Sequence, residues 1–470
     1  MVLEIKMSRI NILGMIRIYY FLPLLFIPFV SLLSQPETSD PLEEYIRTGI
    51  ENNLALKQRH ADWKEASMRL KEAKGLFYPD LSFNARYTIA DGGRIIEFPV
   101  GDLMNPVYST LNLLTSSERF PRIDNEEFPF LRSREHETKL RLVQPVLNTD
   151  IIYNNRIRKN SLDITYADLN TYKRNLVFEI KQAYYNYLKS VELLDLLEST
   201  MKVLEENLRV NQKLLSNHKV TRDAVLRSKS EIMKMEERIA AADGSLDVSR
   251  AYFNFLLNRD LNEEIIFSVS DLPDVPVDAE SYIENAIITR EEIVKLENYL
   301  LLSGNSMKLN KSSRFPEVFA VIDYGFQGEE YNFGSGDDYM LASIVLKWDI
   351  FKGFQEESRI NQARIMEEKV NYQLEETLKL IRLDILNCWH DLIAAEKKLA
   401  ASEANSAAAS EAFRIVSKKY GQDLTSLLEY LDARNNMTMA EQNRIINNYD
   451  LLIKYAAFEK AAALFDIHNE

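Results

Sequence analysis

The chain states one pattern twice, so any fold it adopts must hold two copies of the same unit. Phe77–Tyr87 reads FYPDLSFNARY around Pro79, and Arg314–Tyr324 reads RFPEVFAVIDY around Pro316. Pro145-Val146-Leu147-Asn148-Thr149 returns 204 positions later as Asp349-Ile350-Phe351-Lys352-Gly353, and Val220 through Leu226 returns 205 positions later as Thr425 through Leu431. Each copy reads as helix, strand, loop, strand, very long helix, break, long helix. The first copy is expected over residues 40–270 and the second over 281–466, joined by a linker at 271–280. The seam from Asp271 to Asp278 carries Pro273 and Pro276.

The expected strands fall at about 80–90, 135–147, 317–327 and 339–351. In Leu81–Ile89, Leu81, Phe83, Ala85, Tyr87 and Ile89 share one side, while Ser82, Asn84, Arg86 and Thr88 share the other. Val318, Ala320, Ile322, Tyr324 and Phe326 likewise line one side of the third strand. Glu135–Gln144 and Tyr339–Ile350 alternate less strictly, yet Glu137, Lys139 and Arg141 lie opposite Leu140 and Leu142. Ten-residue strands with one apolar and one charged side suit a barrel with lipid outside and water inside. A soluble sheet with a solvated face would suit any one of them alone. Four strands cannot close around water, and open edges are not tolerated in lipid. The protomer is therefore expected to supply one sector of an oligomer.

Gly (14) and Pro (13) are scarce for 470 residues, which favours long uninterrupted helices over turn-rich folds. Asp150 to His218 and Phe354 to Asp423 could each reach about 100 Å. Leu194, Leu197, Met201, Leu204, Leu208, Asn211 and Leu215 step 3, 4, 3, 4, 3, 4, the spacing of a coiled coil. Val225, Ile232, Ile239, Leu246 and Phe253 return seven apart, with Ser228, Met235, Ala242 and Ser249 between them. In the second copy, Ala400, Ala401, Ala404 and Ala407 to Ala409 read as a close-packing stretch. A rod attached to a barrel can carry a conduit away from a membrane.

At the start, Lys6, Arg9 and Arg17 precede the apolar run Ile18 to Leu33, so residues 1–34 are expected to be an export signal rather than a retained membrane anchor. The net charge of −14 disfavours nucleic acid as a partner. Cys388 stands alone and cannot form an intramolecular disulfide. Enzyme chemistry finds little support: His60, His136, His218, His390 and His468 pair with no nucleophile or acid in a catalytic spacing. Gly334-Ser335-Gly336 lacks the following helix of a phosphate cradle. Cys388 and His390 flank Trp389 on a helix and read as packing residues. Met233, Met235, Met437 and Met439 read as core methionines rather than a soft-metal path. No catalytic residue, cofactor or metal site is expected.

With these features in place, the chain after residue 40 resembles the TolC-like outer membrane efflux protein family. Leu42 to Ala73 with Asn52-Asn53-Leu54 is similar to that family's opening helix, and Tyr78-Pro79-Asp80-Leu81 to its first strand. Pro145-Val146-Leu147 and Ile350-Phe351-Lys352-Gly353 are similar to its strand-to-helix motif, and Arg290-Glu291-Glu292-Ile293 to the start of its second repeat. The resemblance implies an α+β membrane protein: a homotrimer whose protomers each give four strands to a 12-stranded outer membrane β-barrel. That barrel would be continuous with a long periplasmic α-helical coiled-coil barrel. It also implies outer membrane lipid around the barrel, a periplasmic adaptor, and an inner membrane efflux pump or ABC transporter. The function implied is the exit duct of a tripartite efflux or type I secretion system.

The docking tips would be His218, Val220, Thr221 and Arg222 in the first copy, and Gly421, Asp423, Thr425 and Ser426 in the second. By the same resemblance, Glu429 and Asp432 match two acidic positions at the pore entrance, and three copies of each would make carboxylate rings favouring cations. The bland reading is a solvated i, i+3 helix face. Tyr420 and Asp223 are the gating candidates. The family's tip glycine falls on His218 and Asp423, an arginine of its closed state falls on Thr425, and the acid after its first tip falls on Ala224, so no specific gating bond carries over. Residues 92–134 are expected to be a long outer loop. A periplasmic coiled-coil scaffold without a pore is the alternative, and it gives no reason for alternating strands in both copies.

Overall fold

The computed structural model describes residues 40–268, 272–331 and 334–465; the expected export signal at 1–34, Asp271 and His468 lie outside them. In the first half the chain runs α1 (Pro41–Asn52), α2 (Leu54–Gly75), β1 (Asp80–Ile89), β2 (Ile95–Phe98), α3 (Val100–Thr115), β3 (Glu126–Pro129), β4 (Arg134–Leu147), α4 (Thr149–Ser216) and α5 (Arg222–Leu256). The second half runs α6 (Glu280–Thr289), α7 (Glu291–Ser312), β5 (Glu317–Gly328), β6 (Asp338–Lys347), α8 (Gln355–Gly421) and α9 (Leu427–Ala461). The 68 residues of α4 and the 67 of α8 are continuous. Each therefore reaches about 100 Å at 1.5 Å per residue.

Four strands form one antiparallel sheet in the order β1-β4-β5-β6, which leaves β1 and β6 as unpaired edges. Its register sets Leu81 against Leu142, Arg86 against Glu137, Arg141 against Asp323 and Tyr324 against Met340. The β4–β5 register shifts between Pro145 and Leu147, at the prolyl residue that has no N–H to give the ladder.

Three apolar clusters hold the helices. In the first, Leu42 and Tyr45 of α1 meet Ile180 and Tyr184 of α4 and Phe253 of α5. Gly49 permits this approach, since a Cβ there would lie 2.3 Å from Ile180 Cδ1. In the second, Ile283 and Ala286 of α6 meet Ile385 and Leu392 of α8 and Phe458 of α9. The third lies near the far ends of the long hairpins, where Leu197 and Leu204 join Ile232, Met235, Tyr430 and Leu431. A buried ion pair fastens α4 to α7: Arg174 donates Nε and Nη2 to the two Glu291 oxygens at 3.0 and 2.7 Å, and Nη1 to the Phe465 carbonyl at 3.2 Å.

Several expectations are corrected. The opening helix is two helices, because buried Asn53 caps α2 through its Oδ1 at Leu56 N (3.0 Å) while its Nδ2 donates to Leu256 O at 2.9 Å. Residues 92–134 are a β2–β3 hairpin enclosing α3 rather than a loop without elements. The fourth strand ends at Lys347, and left-handed Gly353 and Phe354 (φ 59° and 63°) turn the chain into α8. Within the protomer the alanine stretch of α8 faces outward at Ala400, Ala401, Ala404, Ala407 and Ala408, and the stripe packed inside is Leu392, Ala395, Leu399, Ser402 and Ser406. Of the four methionines near the tips only Met235 is core; Met233 and Met439 are exposed.

Candidate functional site

Strand periodicity sets most of the exposed hydrocarbon of the sheet on one face and its ion pairs on the other, with exposed Leu341 across from Asp323 on the charged face. On one face Leu81, Phe83, Ile89, Leu140, Tyr324, Met340 and Ile344 lie uncovered, with Ile344 81% exposed. On the other, Arg141 donates Nε and Nη2 to the two Asp323 oxygens at 2.8 and 2.7 Å, the fork-to-fork geometry that best suits these groups. Lys139 reaches Glu137 at 2.7 Å and Asp323 at 3.9 Å, and the Tyr339 hydroxyl donates to Glu137 at 2.9 Å. Arg86 adds a longer contact to Glu137 at 3.7 Å. Gly325 sits opposite Lys139, and a Cβ there would lie 2.3 Å from Thr138 O, so only glycine leaves room for the charged row. A soluble sheet would cover its apolar face and wet the other. Here the apolar face is bare and the charged face is cross-linked.

The far ends of the long hairpins share one turn geometry. After α4, His218 takes φ 58°, with Lys219 N donating to Leu214 O at 2.8 Å; after α8, Asp423 takes φ 63°, with Leu424 N donating to Lys419 O at 2.9 Å. This is the left-handed C-cap that usually draws glycine. Gly421 is instead the last helical residue. Lys219 Nζ and Asp423 Oδ2 approach to 4.0 Å across the two turns, both exposed. Val220 is half-buried, while Thr221, Arg222 and Asp223 are exposed, and the Thr221 hydroxyl donates to Asp223.

Of the sequence-predicted acids, Glu429 has a local partner set. Ser426 caps α9 by accepting from Glu429 N at 3.2 Å, Ser426 N donates back to Glu429 Oε2 at 3.4 Å, and Thr425 Oγ1 also donates to Oε2. Those donors, Thr425 first, hold the Glu429 carboxyl below the usual range. Asp432, one turn on and exposed, accepts from Asn436 Nδ2 at 3.3 Å.

Tyr420 leads to a feature that the sequence reading missed. Its hydroxyl donates to Asn211 Oδ1 at 2.5 Å; Asn211 Nδ2 donates to Ser228 Oγ at 2.8 Å and to Asn207 Oδ1 at 3.1 Å; Ser228 Oγ donates to Asn207 Oδ1 at 2.8 Å. Asn207, Asn211 and Ser228 are all buried, and Tyr420 lies ring to ring with Tyr430 at 4.9 Å. One polar knot thus touches α4, α5, α8 and α9. Nearby, Arg434, 1% exposed, crosses from α9 to Glu231 of α5 at 2.9 Å. The signal for the knot was present, since Asn211 occupies a seam position among leucines, where a polar residue fixes register at some cost in stability.

Among the described residues no group of three or more His, Cys, Asp or Glu is placed to hold a metal, and no helix is long and apolar enough to cross a membrane. Cys388 is half-buried and its thiol is pushed up to about 11 by burial. Trp389 donates to Pro276 O at 2.9 Å, and His390 is exposed.

Residues 282–463 match the family described as outer membrane efflux protein. Among solved structures, the chain is similar to the outer-membrane channel OprN, at 16% identity over 90% of this chain and 89% of that one, with a TM-score of 0.72. The Campylobacter jejuni CmeC outer membrane channel is 14% identical over 92% of this chain and 87% of that one, with a TM-score of 0.75. The Neisseria gonorrhoeae MtrE outer membrane channel, in its open state, is 17% identical over 90% and 88%, with a TM-score of 0.72. No curated protein sequence matches the chain. Over residues 282–463 the chain is thus similar to the outer membrane efflux protein family, and the described chain has the fold of the outer-membrane channels OprN, CmeC and MtrE.

Proposed function

We propose that this protein is the exit duct of a tripartite export system, a trimeric outer membrane channel with its long helices in the periplasm. The observation that carries the reading is the sheet, with a bare apolar face, a cross-linked charged face and two open edges, joined directly to two helical hairpins. Three such sheets, β6 of one protomer beside β1 of the next, close a 12-stranded barrel with lipid outside and the Arg141–Asp323 row facing water. The two copies of the unit, 40–270 and 281–466 about the linker 271–280, give each protomer four long helices and the trimer twelve. A periplasmic adaptor docks at the tips around His218–Arg222 and Gly421–Ser426, and an inner membrane pump loads the duct. Glu429 and Asp432 line the narrow mouth as acidic rings, with Tyr420 and Asp223 beside the gate.

Planar-bilayer recording of the detergent-extracted protein tests this reading. Cation-selective unitary steps are expected, with selectivity falling in Glu429→Gln/Asp432→Asn, which keeps the N-terminal cap of α9 while removing both charges. A chain that stays monomeric without detergent and passes no current would overturn the duct and support a pore-free scaffold. Unchanged selectivity in the double variant would remove both acids from the pore.

A further inference from the structure

The segment between β1 and β4 lies at the end of the sheet away from the long helices, and its helix α3 is inside out. One side of α3 is pinned to the following strap of chain. Asn105 donates Nδ2 to Ile123 O at 2.8 Å and accepts from Ile123 N at 3.0 Å. Asn112, two turns on, does the same with Phe120, at 2.7 and 3.0 Å. Asn125 completes the seam by accepting from Asp102 N at 3.0 Å and donating to Asp102 Oδ2 at 3.1 Å. Gly101 lets the strap close in, since a Cβ there would lie 2.5 Å from Ile123 O. The amides at 105 and 112 share a helix face at 100° per residue, and Leu103, Val107 and Leu114 fall on the opposite face. Those three side chains are 65, 50 and 74% exposed. A soluble helix puts its polar side out and its apolar side in; α3 does the reverse.

We infer that α3 lies in the plane of the membrane interface, with Leu103, Val107 and Leu114 turned into the acyl boundary of the outer leaflet. This rests on the channel reading, because the sheet itself must sit in lipid. Lipid is favoured as the occupant for two reasons on the molecule. The outward stripe bears no charge; the helix's one carboxylate, Asp102, is tied into the strap. Beyond a short exposed turn with Asp91 and Arg94, the apolar exposure of β1 resumes along the chain: Ile89 is followed by Ile96 and Phe98 of the hairpin, and Phe128 returns beside Ile96. Such a stripe, uniform and without a registering polar group, matches a fluid apolar medium. It would fasten the outer end of each barrel sector at a fixed depth.

The test uses the full chain in vesicles of phosphatidylethanolamine and phosphatidylglycerol, in a Cys388→Ser background. Separate Leu114→Cys and Ile344→Cys proteins carry an environment-sensitive fluorophore. Loss of emission at position 114 to phospholipid spin-labelled near the headgroup, with none to aqueous iodide, is expected, alongside loss at 344 to deep spin-labelled lipid. Iodide quenching at 114 with lipid quenching kept at 344 would refute the interfacial helix and leave the stripe open to a soluble partner. Shielding from both quenchers, with copies cross-linking through position 114, would refute it in favour of packing between protomers at the barrel mouth. No lipid quenching at 344 would mean that the channel reading itself had failed.

Discussion

Tyr420 and Asn211 form a pair whose removal, singly and together, has non-additive consequences. Tyr420→Phe takes away the donor that Asn211 Oδ1 receives at 2.5 Å, and this oxygen belongs to a fully buried side chain. An orphaned buried acceptor costs about 1–3 kcal/mol; the half-buried setting of Tyr420 puts the effect near the lower end, about 1–2 kcal/mol. Asn211→Leu orphans the Tyr420 hydroxyl by a similar amount and loses the two bonds that Asn211 donates, but places a leucine where the seam spacing calls for one. In the double variant neither end of the Tyr420–Asn211 bond is left unpaired, so only the loss of the two Asn211 donations remains, about as much as one single variant costs. The two changes should therefore fail to add, with a coupling of about 1.5 kcal/mol in favour of the double variant. Local opening of the tips, read by hydrogen exchange of peptides covering 204–232 and 413–434, is the assay. Each single variant should exchange roughly tenfold faster there, since 1.4 kcal/mol is a factor of ten, with the sheet unaffected. Additive effects, or protection unchanged by Tyr420→Phe, would show that the knot does not hold the tips together.

Glu429 gives a pH signature with a definite sign. Its folded carboxyl is held below the unfolded value, so the cap it completes on α9 is fully present above the ordinary carboxylate range and is lost as pH falls through the depressed folded value. Exchange at 426–430 should rise only in acid, and the rise should be absent in Glu429→Gln. At the second tip, Asp423→Gly should stabilise the turn by about 0.5–1 kcal/mol, because glycine reaches the left-handed region without a Cβ clash; a lower melting temperature would count against that geometry. Leu204→Asp, at a fully buried position of the third cluster, should cost more than about 3 kcal/mol and separate the hairpins; protease resistance retained near the tips would show that this stripe is not core.

Much of this architecture could be read from spacing, because period-two and period-seven patterns are local. Leu81–Ile89 alternates within one strand, and that strand forms over Asp80–Ile89. Leu197 and Leu204 step as a seam and are buried as one. The left-handed residues were reached through the resemblance, which aligned a tip glycine with His218 and Asp423, and both take positive φ. What failed involves choices between faces that a helix surrounded by several neighbours leaves open. The alanines from Ala400 to Ala408 suit close packing by size, yet within the protomer the side of α8 that meets α9 is carried by Leu399, Ser402 and Ser406. The break at Asn53 is tied to Leu256, 203 positions away, and no local pattern encodes that hydrogen bond. The structure of 92–134 was hidden for a related reason. The asparagines that fasten α3 bind backbone atoms of a strap with little periodicity of its own.

The unpaired rims of β1 and β6, ten residues each, make the yield of finished protein a matter of reaction order. A lone chain displays two rows of free backbone donors and acceptors, the template that also recruits wrong partners. In the proposed trimer three chains must meet to satisfy those rows, so the rate of completion at low abundance scales with the cube of the free chain concentration. Halving the free chain would then slow assembly roughly eightfold by mass action, while the loss of stray chains to proteolysis, first order in chain, would only halve. Expression level thus acts as a threshold, below which chains are consumed faster than they are completed.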